Sequence, residues 1–295
     1  MQASPSYHGR FAPSPSGPLH LGSLYTALAS FLEARSRNGS WQLRIDDLDH
    51  YRTIPGAAEA ILITLDRHGF QWDGPVLYQS SQSEFYSRAL TQLTNQGDLY
   101  PCICSRKAIA ALENGNHYPG TCRYNTIDPL SPHAIRIKTP SQPITFEDGI
   151  QGIFRQSLSR SCGDFIVHRR DGIIAYHLAV VIDDDHQKIT EVIRGIDILD
   201  STPKQIFLQQ RLGLSTPHYQ HIPIIIDRNG NKLSKQTNAA PVDNSKPSAT
   251  LIQLLNLLNL DTPGDLNNST PPIILDWAIE NWDSSKLCGH RQIYA

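Results

Sequence analysis

The sequence predicts an α/β protein built on a parallel sheet. Three observations carry that reading. Short strand-like runs alternate with runs of helical period, the pattern that stacks helices on a parallel sheet. A Pro/Gly-rich loop joins the first strand to the first helix, with Pro13, Pro15, Gly17 and Pro18 forbidding regular structure between them. The same alternation resumes after a long irregular stretch in the middle of the chain.

Residues 9–12 read as the first short strand. From Leu21 the apolar positions Leu21, Leu24, Tyr25, Leu28, Phe31 and Leu32 recur at helical spacing, and Gly39 follows. Residues 41–48 read as the next strand. Residues 57–68 read as an amphipathic helix closed by Gly69. Between Asp98 and Arg170 the rhythm breaks, with Pro101, Pro119, Pro129, Pro132, Pro140 and Pro143 scattered through the segment. It reads as an insertion with short strands such as residues 133–138. Residues 173–182 then form a buried element, and 203–212 a helix that Ser201 or Thr202 caps. Residues 219–226 form a strand, and the polar tail carries one clear helix at 249–258.

Composition narrows the class. Hydrophobic residues at 39% and charged residues at 18% allow a sizeable core and exclude default disorder. A formal net charge of −2 argues against a histone-like coat protein, though a local basic patch needs only a few Lys and Arg. Residues 1–10 hold no apolar run of the secretory kind. The most apolar stretch, 173–182, is interrupted by Tyr176 and His177 and is too short to span a bilayer. A cytoplasmic protein without membrane contact is the expectation. The five cysteines are odd in number, which disfavours a disulfide framework; Cys102, Cys104 and Cys122 lie within 21 residues, a spacing closer to a metal site.

Two segments carry phosphate chemistry. Ser14-Pro15-Ser16-Gly17-Pro18-Leu19-His20-Leu21-Gly22-Ser23 runs from a strand through a loop into a helix N-terminus. Such an end offers free backbone N–H groups and a positive dipole to a phosphate. Gly22 permits close approach of a ligand, and His20 can donate to phosphate oxygens. Alone, the segment is also a plain Pro/Gly turn. Much later, Lys232-Leu233-Ser234-Lys235-Gln236 follows an Asn229-Gly230 turn. Two lysines flanking a serine suit a developing pyrophosphate charge, and alone they also suit a solvated loop.

As a pair, these segments resemble the two ATP-binding motifs of class I aminoacyl-tRNA synthetases, His-Ile-Gly-His and Lys-Met-Ser-Lys-Ser. Gly9-Arg10-Phe11-Ala12-Pro13-Ser14-Pro15-Ser16-Gly17 is similar to the opening of glutamyl-tRNA synthetases. So are Leu43-Arg44-Ile45-Asp46-Asp47-Leu48-Asp49, Trp72-Asp73-Gly74-Pro75 with Tyr78-Gln79-Ser80, and Glu191-Val192-Ile193-Arg194-Gly195-Ile196-Asp197 with Thr202-Pro203. His20-Leu21-Gly22-Ser23 and the run from Ala175 to Asp184 resemble the truncated paralogue, the glutamyl-Q tRNA(Asp) synthetases. Only 59 residues follow Gln236, too few for the helical anticodon-binding region of a full glutamyl-tRNA synthetase.

The resemblance implies a Rossmann-like class I synthetase fold. Residues 1–97 and 171–240 form the two halves of the catalytic domain, the second carrying the Lys-Leu-Ser-Lys loop. Residues 98–170 form a zinc-containing insertion of the acceptor-binding kind. Residues 241–295 form a short helical tail with no anticodon-binding domain. It implies His20, Gly22, Ser23, Lys232, Ser234 and Lys235 at ATP, with His20, Lys232 and Lys235 in the catalytic role and Mg2+ accompanying the nucleotide. It implies Arg10, Phe11, Ala12, Pro13, Ser14, Asp46, Tyr176 and Arg194 around L-glutamate. Those residue types suit the substrate. A carboxylate fits a planar Arg fork from Arg10 or Arg194. The ammonium fits Asp46, and Tyr176 adds a hydroxyl. The family has Glu where this chain has Asp46, one methylene shorter, so Asp46 reaches the ammonium through a water or a small strand shift rather than by the family's direct contact. As bare residues, Arg10 and Arg194 also suit ordinary ion pairs and Tyr176 suits the core.

For the metal, zinc takes four ligands, and three cysteines are one short. The family arrangement Cys-x-Cys…Tyr-x-x-x-Cys implies Cys102, Cys104, Tyr118 and Cys122; on chemistry alone His117 is the rival fourth ligand. The implied activity is formation of glutamyl-adenylate without tRNA, then transfer of glutamate to queuosine in the anticodon of tRNA(Asp), by a monomer. Arg106, Lys107 and Arg123 are candidates to hold the RNA backbone. Two other readings remain: a compact enzyme charging the 3′ end of tRNA(Glu), and a non-catalytic binding paralogue.

Overall fold

The computed structural model describes residues 6–111, 117–128, 130–227 and 240–294. The chain opens with β1 (His8–Phe11), α1 (Leu21–Ser36), β2 (Ser40–Ile45), α2 (Ala57–Arg67), β3 (Leu77–Tyr78) and α3 (Ser83–Asn95). β1, β2 and β3 pair in parallel in that order. The strand expected over 41–48 ends at Ile45, because Asp46 leaves the ladder and donates its N–H to Pro13 O at 3.0 Å.

The middle of the chain supplies β4 (Leu99–Cys102), α4 (Arg106–Ala110), β5 (Ala134–Ile137), β6 (Ile144–Asp148), β7 (Gly152–Gln156), α5 (Leu158–Ser161) and β8 (Ile166–His168). β4, β5 and β8 form their own antiparallel sheet. The β6–β7 hairpin instead joins a second sheet, of order β7-β6-β10-β9. That sheet takes β9 (Glu191–Gly195) and β10 (His218–Ile222), between which run α7 (Thr202–Leu212) and, before β9, α6 (Tyr176–His186). β6, β10 and β9 are mutually parallel.

The two parallel systems meet where Thr190, just ahead of β9, donates its N–H to His8 O at 3.0 Å. β1 therefore lies beside β9. From β1 the chain crosses through α1 to β2 on one side; from β9 it crosses through α7 to β10 on the other. A cleft outside the carboxyl ends of β1 and β9 is the place such a reversal of strand order leaves open.

Three further expectations are corrected. The strand expected over 219–226 breaks at Pro223, whose missing N–H cannot continue the ladder. β11 (Ile224–Ile226) pairs instead with β12 (Gln292–Tyr294), in parallel. Neither Ser201 nor Thr202 caps α7. Ser201 makes no side-chain capping bond, and the Thr202 hydroxyl is engaged with Arg194 and His221. The element expected at 173–182 becomes a helix only from Tyr176.

The tail holds more than the one helix expected. α8 (Pro247–Leu257) and α9 (Pro271–Glu280) both start with Pro in the first turn, where its missing N–H is harmless. Leu251, Leu254, Leu255, Leu258, Ile274 and Leu275 join the core beneath α1, with Leu24, Leu28, Phe31 and Trp41. Trp282 Nε1 donates to Glu33 on α1 at 2.5 Å. The tail thereby packs against α1 and shares its core. Among the described residues no helix is long and apolar enough to cross a membrane.

Candidate active site

The cleft at the β1/β9 reversal has a volume of about 890 Å3, large for a small-molecule site (roughly 300–1,000 Å3). Arg10, Phe11, Ala12, Pro13 and Ser14, at the end of β1 and in the loop beyond, line it. So do Asp46 after β2, Tyr176 at the start of α6 and Arg194 on β9. His20, Gly22 and Ser23 line its other end. Every residue expected at ATP or glutamate and lying within the described residues thus opens on one cleft. Lys232, Ser234 and Lys235 lie outside the described residues.

His20 is the N-cap of α1 rather than a residue of its first turn. Its backbone is extended, and Nδ1 accepts from Ser23 N at 3.2 Å. An accepting Nδ1 leaves the proton of the neutral ring on Nε2, 2.9 Å from Ser23 Oγ. The imidazole therefore fixes the helix start that a phosphate would face.

At the end lined by Arg10 and Asp46 lies a buried charge cluster. Arg10 Nε donates to Asp184 Oδ1 at 3.2 Å. Arg44, fully buried, donates from Nε to Asp46 at 2.9 Å. Its Nη1 donates to Asp184 at 2.7 Å and to Gln187 Oε1 at 3.0 Å. Asp183 accepts from Gln79 at 2.6 Å and Tyr86 at 2.8 Å. Burial pushes the Asp183 carboxyl up to about 6 against the pull of Arg44. Burial also raises Asp46, Arg44 notwithstanding, whereas for Asp184 the two arginines outweigh burial and hold it low. Asp46 is thus oriented by Arg44 and lines the cleft.

Arg194 is held differently. Its Nε donates to His221 Nε2 at 3.0 Å and its Nη2 to Thr202 Oγ1 at 2.7 Å, while the buried Nη1 has no partner among the described residues. His221 Nδ1 lies 2.5 Å from Asp148 Oδ2. Burial lowers the proton affinity of His221 despite Asp148, so the imidazole is neutral.

Reading the sequence missed Arg44, Asp148, His221 and Tyr25. Tyr25 sits in the apolar stripe of α1, yet it lines the cleft and its buried hydroxyl has no partner among the described residues. For Arg44 a signal existed: Gln42, Arg44 and Asp46 alternate with Trp41, Leu43 and Ile45, an unusual polar period in a strand buried between helices.

A second cluster lies at the end of β4. The sulfurs of Cys102, Cys104 and Cys122 lie within 4.8 Å of one another. The Tyr118 hydroxyl is 3.4 Å from Cys102 Sγ and accepts from Cys122 N at 2.9 Å. Gly163, at φ +67°, lets Tyr118 approach so closely that a Cβ there would sit 1.9 Å from Tyr118 O. His117 turns away, its Nε2 bonded to Ser159 O at 2.8 Å. Arg136 Nε reaches Cys102 Sγ at 3.2 Å, a cation suited to thiolate charge. Three thiols and a phenol converging at this spacing fit a tetrahedral ion with bonds of about 2.3 Å to sulfur. Of the basic residues considered for RNA, Arg123 is committed to Asp164, at 2.5 Å.

The fold and cleft define a class I aminoacyl-tRNA synthetase catalytic unit. Residues 6–259 match the family described as tRNA synthetases class I (E and Q), catalytic domain. The chain belongs to the glutamyl-Q tRNA(Asp) synthetase family. It is 49% identical over 291 residues to the glutamyl-Q tRNA(Asp) synthetase of Methylococcus capsulatus, covering 98% of this chain and 96% of that one. It is 46% identical over 288 residues to that of Ectopseudomonas mendocina, covering 98% and 97%. A glutamate tRNA ligase from Elizabethkingia meningosepticum, solved in complex with its amino acid, matches with a TM-score of 0.82 at 27% identity. That match covers 97% of this chain and 67% of the other.

Proposed function

We propose that this chain activates L-glutamate with ATP and transfers the glutamyl group to queuosine in the anticodon of tRNA(Asp). The observation that carries the reading is the convergence of Arg10, Asp46, Tyr176 and Arg194 with the His20-capped helix start in one cleft. The relatives' names supply the acceptor.

In the first step a glutamate α-carboxylate oxygen attacks the α-phosphorus of ATP, which enters with Mg2+, and pyrophosphate leaves. In the second a hydroxyl of the queuosine cyclopentene ring attacks the activated carbonyl carbon, and AMP leaves. The protein positions and neutralises charge. Arg10 and Arg194 receive the carboxylates, Asp46 the ammonium and Tyr176 a polar oxygen. His20, Gly22 and Ser23 bind the nucleotide; Lys232, Ser234 and Lys235 meet the pyrophosphate. Cys102, Cys104, Tyr118 and Cys122 hold one structural Zn2+, whose role is to fold the loop-rich segment around them.

Glutamate-dependent ATP–pyrophosphate exchange is expected without tRNA. Lys235→Ala is expected to reduce it by about 100-fold, the scale of losing one charge that meets the transition state. Aspartate is too short to span the pocket, and glutamine leaves an arginine without its carboxylate, so both are expected to be poor. Exchange that strictly required tRNA(Glu) would favour a compact synthetase charging the 3′ end instead.

A further inference from the structure

We propose that Asp148 and His221 form a relay that positions the guanidinium of Arg194 while leaving its charge available to a substrate carboxylate. The inference rests on the glutamate reading of the cleft and extends it by two residues that do not line it.

Arginine has five N–H donors and no acceptor, so His221 Nε2 must present a lone pair to Arg194 Nε, 3.0 Å away. The ring proton therefore sits on Nδ1. That atom faces Asp148 Oδ2, at 2.5 Å. Asp148 cannot turn. Its Oδ1 accepts three backbone N–H groups, from Ile150 at 3.1 Å, Gln151 at 2.9 Å and His221 at 3.1 Å. These bonds lock the carboxylate at the tight connection between β6 and β7, and an ionised carboxylate only accepts. The imidazole is thus confined to one tautomer, the one that can hold Arg194.

The consequence for charge is specific. Arg10 and Arg44 both bond Asp184, which offsets much of their charge. Arg194 is bonded by a neutral imidazole and a neutral hydroxyl. The anion that orders the arrangement stands one ring further back. Nη1, buried and without a partner among the described residues, belongs to a side chain that lines the cleft. A buried donor left in this state is satisfied by an incoming carboxylate.

The relay makes an uncommon prediction about the mildest-looking substitution. In Asp148→Asn the amide oxygen must take the three backbone N–H groups, which turns the NH2 toward His221 Nδ1. Nδ1 must then accept, the proton moves to Nε2, and it meets the Arg194 Nε–H donor head-on. His221→Gln, by contrast, can place its amide oxygen near the former Nε2 and still accept from Arg194.

The test measures glutamate-dependent ATP–pyrophosphate exchange in the wild type, Asp148→Asn, His221→Gln and His221→Phe, with KM for glutamate and ATP determined separately. Melting curves and imidazole 15N shifts of histidine-labelled protein accompany it. Asp148→Asn and His221→Phe are expected to raise KM for glutamate about tenfold or more and KM for ATP by less than about twofold, with His221→Gln milder than either. The 15N shifts are expected to give Nδ1–H for His221 in the wild type and Nε2–H in Asp148→Asn. A merely structural role predicts the reverse order, with the isosteric Asp148→Asn mildest; that order, equal rises in both KM values, or Nε2–H in the wild type overturns the relay. A wild type that exchanges with no glutamate overturns the functional reading, and the tautomer then decides the relay by itself.

Discussion

Replacing Arg44 by methionine is expected to destabilise the protein by about 3–5 kcal/mol, the range seen when one partner of a buried ion pair is removed. The same change is expected to abolish glutamate-dependent exchange in whatever fraction folds. Arg44 is fully buried and serves Asp46, Asp184 and Gln187 at once. Methionine fills much of the volume but leaves Asp46 without its Nε–H and Asp184 with only Arg10. Two carboxylates then stand buried with too few counter-charges, and the folded state must take up protons or open. The functional loss has the same origin: Asp46 is aimed by Arg44, and Arg10 shares Asp184 with it. Arg44→Lys is expected to fall between, since a single ammonium cannot reproduce a fork that reaches Asp46 on one side and Asp184 on the other. Urea unfolding curves for the two variants are the measurement. A methionine variant with an unchanged midpoint would show that the cluster contributes little.

The second large effect concerns the cysteine cluster. Wild-type protein purified without added metal is expected to carry about one zinc per chain, and Cys104→Ser close to none. Cys104 Sγ lies 3.6 Å from Cys122 Sγ, a separation natural for two thiolates sharing one ion. The local core around it is small: Tyr100, Cys102, Tyr118 and Cys122, with Cys104, Ile109 and Ile127 packed on it. So few apolar contacts supply little folding free energy, and metal coordination supplies what is missing. Cys104→Ser is therefore expected to make this segment the first to be cut in limited proteolysis. Tyr118→Phe is expected to weaken metal retention, and His117→Ala to leave it unchanged, because His117 is turned to Ser159 O. A metal-free wild type with the melting curve of the zinc-supplemented protein would sink the zinc site. Loss of metal in His117→Ala but not Tyr118→Phe would reassign the fourth ligand.

Much of this was legible in the sequence where the information is local. The Pro/Gly loop before Leu21 marked a helix start, and the period of the following apolar residues marked the helix. Arg10, Asp46, Tyr176 and Arg194 could be picked out because their residue types suit an amino acid and their motifs resemble a known family. What was not legible depends on distant partners. Pro223 ends β10, but nothing local shows that β11 turns to pair with β12 near the other end of the chain. Thr202 looks like a helix cap but is the first residue of α7, and its hydroxyl answers to Arg194 in three dimensions. Asp148 and His221 are 73 residues apart and become a pair only because β6 lies beside β10. Tyr25 reads as core because one face of α1 serves both the core and the cleft.

The acceptor is the central claim, and one measurement addresses it directly. Labelled glutamate is incubated with ATP, the protein and bulk tRNA from cells able or unable to make queuosine, and the labelled RNA is mapped by nuclease digestion. An anticodon loop suits direct reading because its bases can be splayed out of the stack. The cyclopentenediol of queuosine offers vicinal hydroxyls like those of a terminal ribose, so the adenylate chemistry needs no change. The account predicts label on the anticodon fragment of tRNA(Asp), and only in RNA from queuosine-making cells. Label on queuosine-free tRNA(Asp), or at the 3′ end of tRNA(Glu), would contradict it.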